Sequence, residues 1–88
     1  MKYGVEIKEK EMDNIFEVVR PIFKTHNVRV VGLHSTFDEF GDHIIGINAH
    51  YMDLYHCDFE KLWEELEAAT NLRIGYCPED NTILMKKK

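Results

Sequence analysis

From Glu9 onward the apolar residues Met12, Ile15, Phe16, Val19, Ile22 and Phe23 recur at intervals of three and four, with Lys, Glu and Asp between them. That spacing places them on one stripe of an amphipathic helix. Ahead of the stripe, Tyr3, Val5 and Ile7 alternate with polar or small neighbours, which predicts a half-buried strand over 2–7. Pro21 lies inside the helical pattern. It lacks an N–H and its ring crowds the carbonyl of Glu17, so a kink or break followed by one short turn is expected. Asn27 then suits a left-handed cap.

Two runs rich in strand-forming residues follow, Val28 to Phe37 and Ile44 to Met52, and they are expected to pair. The turn between them is Glu39-Phe40-Gly41-Asp42, with Gly where a positive φ is wanted. Pairing Glu39 with Asp42 sets Gly32 opposite Ala49 and His34 opposite Ile47. One face then carries Val28, Val30, Gly32, His34, Ile45, Ile47, Ala49 and Tyr51. The other carries Val31, Leu33, Phe37, Ile44, Asn48 and His50, also largely apolar, so the pattern leaves open which face meets the helices.

Asp58 is a suitable N-cap, and Phe59, Leu62, Trp63, Leu66 and Ala69 form a second stripe, predicting a helix over 58–70 that ends at Thr70-Asn71. Leu72 to Cys77 reads as a strand, Pro78 to Asn81 as a turn and Thr82 to Met85 as a last short strand. The order β, α, β, β, α, β with a terminal hairpin matches the ferredoxin-like split βαβ plan, an antiparallel sheet with both helices on one face. Its second face would be open and partly apolar, a surface for dimerisation or a partner.

At 88 residues, 44% hydrophobic and 31% charged, the chain supports one α+β domain, 1–88, around one core. Its longest apolar run is four residues, far from the roughly 20 needed to span a bilayer, and no apolar signal region follows Met1, so the expected compartment is the cytosol. Sixteen acids against eleven bases give a net charge of −5, the wrong sign for neutralising phosphates, and direct nucleic-acid binding is not expected. The charge is also uneven. Between Asp38 and Glu67 nine acids face Lys61 alone, and most of the positive excess elsewhere is the tail Lys86 to Lys88.

Cys57 and Cys77 form no CxxC pair and are read as reduced thiols. With His50 and His56 they supply a His₂Cys₂ set that zinc accepts, but adjacent His56 and Cys57 do not easily point at one ion from a regular element, and no metal or cofactor is expected. Cys57 beside His56, at a helix start, is a setting that lowers a thiol pKa, yet no orienting acid is identifiable. No phosphate loop, nucleophile elbow or HExxH is present, and no enzymatic activity is expected.

What remains is the acidic block. Glu60, Glu64 and Glu67 share one helical face at i, i+4 and i+7, where like charges disfavour an isolated helix by a few tenths of a kcal/mol per pair. One reading is a solvated face that keeps the domain soluble. The other is a surface complementary to a basic site on a partner protein, built from Glu60, Glu64 and Glu67 with Asp38, Glu39 and Asp42 of the hairpin and flanked by Tyr51 and Tyr55. The expected function is accordingly non-catalytic protein binding, of the kind seen in small acidic inhibitors such as toxin-neutralising proteins or phage-encoded antagonists. The alternative is a small-ligand or metal-sensing domain that dimerises through the open sheet face, with His34, His50 and Cys57 as polar contacts.

Overall fold

The computed structural model describes residues 7–88, so the strand read over 2–7 lies outside the described residues apart from Ile7. The described chain runs α1 (Glu9–Thr25), β1 (Val30–Phe37), β2 (His43–Ala49), α2 (Tyr51–His56), α3 (Phe59–Thr70), β3 (Arg73–Cys77) and β4 (Thr82–Lys86). The four strands form one antiparallel sheet in the order β1-β2-β4-β3. In the ferredoxin-like plan the place beside the third strand belongs to the first. Here β4, the return strand of the C-terminal hairpin, pairs with β2 through Ile45–Met85 and Ile47–Ile83. The arrangement is two helix–hairpin units side by side, α1-β1-β2 and α3-β3-β4, each giving its second strand to the centre of the sheet.

Both long helices cover the sheet face that carries Ile45, Ile47, Ile74, Ile83 and Met85. Their stripes contribute Val19 and Phe23 from α1 and Leu62 and Leu66 from α3, and Ile7 is buried in the same core. Helix α1 continues unbroken through Pro21. The proline falls in the last turns, where only the bond to Glu17 is lost, and the Pro21 carbonyl is in turn taken up by the Thr25 hydroxyl. Asn27 has φ 58°, and the Val28 N–H reaches back to the Phe23 carbonyl, so the left-handed cap forms as read. Asp58 caps α3 by accepting from the Lys61 N–H, and Asn71 ends that helix at φ 55°.

Two local readings are corrected. The β1–β2 register is shifted by one residue, with Gly32 opposite Asn48 and His34 opposite Gly46. The cause is the connection: the Asp38 carboxylate accepts from the N–H groups of Phe40 and Asp42, and Asp38 N–H bonds the Asp42 carbonyl, closing a longer loop than a four-residue turn. Leu33, Ser35 and Phe37 therefore share the helix-covered side with Ile45 and Ile47, while His34 lies over Gly46 on the open side. The second correction is that β2 stops at Ala49. His50 takes over as an N-cap, its Nδ1 accepting from the Met52 N–H, and Tyr51 begins a short helix instead of extending a strand. Among the described residues, no helix is long and apolar enough to cross a membrane.

Candidate functional site

The carboxylates read as one acidic surface separate into two groups. Asp38 and Asp42, in the β1–β2 loop, are both bound by the Lys86 ammonium, at 3.1 and 3.3 Å. Burial works against the Asp38 charge, but the loop N–H groups and Lys86 outweigh it and hold its carboxyl below the usual range. The same contacts raise Lys86, led by its hydrogen bond to Asp38. These two acids serve the fold, tying the end of β4 to the loop, and Glu39 alone of that trio stays exposed and without an ion pair. Glu65 is likewise engaged, with His26 Nε2 at 2.7 Å, and Glu11 pairs with Lys87 at 2.9 Å.

Glu60 and Glu64 differ. Both are exposed on the outer side of α3, and with Asp58 and Lys61 they line an open depression of about 260 Å³. Glu67 is half-buried further along the same helix.

Helix α2, absent from the sequence reading, leads directly into this region through Cys57 and Asp58. It buries Leu54 and leaves Tyr51 60%, Met52 40% and Tyr55 82% exposed. The Tyr51 ring stacks on His50 at 5.3 Å and Tyr55 meets His56 edge-on at 5.3 Å, so both are braced by neighbours on their own helix. The signal for α2 was available: His50 three residues before Asp53, with Leu54 in apolar phase, is a cap and a first-turn acid. Tyr51 and Tyr55 thus stand on the helix that precedes Asp58, Glu60 and Glu64, with Cys57 and Asp58 as the connection. The structure puts Asp38, Glu39 and Asp42 at the far end of the β1–β2 hairpin, beyond His43, whereas α2 follows Ala49.

Among the described residues, no three His, Cys, Asp or Glu side chains converge as a metal site would require. His50 Nδ1 is occupied by the Met52 N–H, and the Cys57 thiol donates to the Leu54 carbonyl. Burial pushes the Cys57 thiol above its ordinary value, with Asp58 and Asp53 adding to the effect, the opposite of the lowering expected at a helix start. His34 Nδ1 bonds Asn48 Oδ1 at 3.2 Å, and the Asn48 amide donates to the Thr82 hydroxyl, a polar chain across three strands of the open face.

Other clefts lie elsewhere among the described residues. One of about 200 Å³ is apolar, between Ile44, Gly75 and Leu84. A larger one, about 650 Å³, lies where α1 ends and β1 begins, and is lined by Arg20, Lys24 and Arg29 beside Asp53. No family model, curated protein or solved structure matches the chain.

Proposed function

We propose that this is a non-catalytic protein-binding domain that presents the corner between α2 and α3 to a basic site on a partner protein. The observation that supports it most is that exposed aromatic side chains and exposed carboxylates lie on two helices joined by only Cys57 and Asp58: Tyr51 and Tyr55 on α2, Glu60 and Glu64 on α3, with Lys61 beside the two glutamates. Aromatic residues with a polar tip supply contact area at little entropic cost, and outward carboxylates steer a basic partner and raise its association rate. The internally paired Asp38 and Asp42 are not part of this surface; displacing Lys86 from them would cost a contact of the fold.

The test is capture on the immobilised domain at low and high salt, comparing the wild type with the double variants Glu60→Lys/Glu64→Lys and Tyr51→Ala/Tyr55→Ala. All four side chains lie outside the core, so the variants should fold, as circular dichroism would verify. A partner that binds the wild type, weakens with salt and is lost by both variants supports the reading. A partner retained by both variants refutes it.

A further inference from the structure

Among the described residues the sheet has two edges, and they are treated differently. Edge strand β3 has five residues, begins with Arg73, is followed directly by Pro78 and is mostly buried or half-buried. Edge strand β1 has eight residues, of which all but Gly32 are exposed, and it contains no proline and no charged residue. Long, uncharged edges are templates for further strand pairing unless something covers them. A register irregularity between Val30 and Gly32 blunts only the start of β1, leaving Gly32 to Phe37 in regular pairing with β2. Along the helix-side flank of this edge Val30, Leu33 and Phe37 are 41%, 49% and 57% exposed, and Val18 of α1 is 43% exposed. Among the described residues, none covers the core at this flank.

We propose that β1 pairs antiparallel with β1 of a second copy of this chain, joining two four-stranded sheets into one of eight strands. The occupant is indicated by charge. At the start of β1 stand Arg20, Lys24 and Arg29, the cations lining the larger cleft; Arg29 is 68% exposed even while it bonds Asp53. At the end of β1 stands the exposed Glu39, next to Asp38, whose charge is already taken up by Lys86. Antiparallel pairing about the strand centre, near His34, places the basic start of each β1 beside the acidic end of the other, twice over by symmetry. The neutral strand between offers no like-charge clash. The strand is thus complementary to its own copy. Two-fold pairing also buries Leu33 and Phe37 of both copies against each other's flank. The inference rests on β1 and its flank and not on the partner-binding reading.

Sedimentation equilibrium of the full chain tests it. The wild type is expected as a reversible dimer that weakens as salt rises. Leu33→Lys, at an exposed position, should give a monomer with unchanged thermal stability of the protomer fold. Glu39→Lys, which sets like charge opposite Arg29, should weaken the dimer about tenfold or more. A wild type that stays monomeric at high concentration overturns the proposal. A dimer indifferent to both substitutions overturns it in favour of another surface.

Discussion

Arg29 holds Asp53 through three hydrogen bonds, from its backbone N–H and Nε at 2.9 Å each and from Nη2 at 3.3 Å. The contact fastens the start of β1 to α2, and His50 N–H adds a bond to the Arg29 carbonyl. The Arg29 guanidinium and N–H hold the Asp53 carboxyl down at about 2, well below its ordinary 3.8. A depressed carboxylate contributes stability that is fully present above its unfolded value and is lost as pH falls toward the folded one. The junction should therefore loosen between about pH 4 and pH 2. The Arg29 amide resonance, followed by NMR, should report that transition in the wild type and lose it in Asp53→Asn.

Gly46 is where β2 accommodates the His34 ring. A Cβ at this position would overlap the imidazole, so Gly46→Ala must push His34 off Asn48 or part the strands. His34 is exposed and the clashing atoms are the far end of its ring, so the ring can swing aside, and the cost is the lost bond to Asn48, about 0.5–1.5 kcal/mol. Thermal melts should show a loss of that size for Gly46→Ala and a similar one for His34→Ala, with little added in the double variant, because each removes the same bond.

The Cys57 thiol should be slow to react. Its raised pKa and its bond to the Leu54 carbonyl both keep the proton on sulfur. In a Cys77→Ser background, alkylation of Cys57 at mildly alkaline pH should run well below the rate of the same protein in denaturant. A folded-state rate above the denatured one would reopen the reading of Cys57 as a nucleophile.

Stability rests on the helix-covered face. Leu66 is fully buried at the centre of α3's stripe, so Leu66→Ala should cost about 2–5 kcal/mol by denaturant titration. Glu64→Gln on the same helix should stay within about 0.5 kcal/mol. The contrast separates a residue that builds the core from one exposed on the surface.

The helices were readable because their stripes are long: six apolar residues fix α1, and a capping Asp58 with five fixes α3. The C-terminal hairpin was readable from Pro78 to Asn81 for the same reason, a strong turn signal between two apolar runs. The position of β4 beside β2 was not, since strand order depends on which apolar edges meet and not on any local period. The β1 register escaped for a related reason. Both faces of the hairpin are apolar, and the register was decided by the Asp38 side chain closing the loop. The acidic surface was legible as composition only. Which carboxylates face outward depended on Lys86, forty-eight positions from Asp38, folding back onto it.

The central claim is that the α2–α3 corner is the recognition surface. Hydrogen–deuterium exchange of the domain, free and bound to the partner purified by capture, tests it most directly. New protection is predicted over residues 51–64, with the β1–β2 loop at Asp38 to Asp42 unchanged. Protection confined to that loop, to the larger basic cleft or to the open face around His34 would contradict the account.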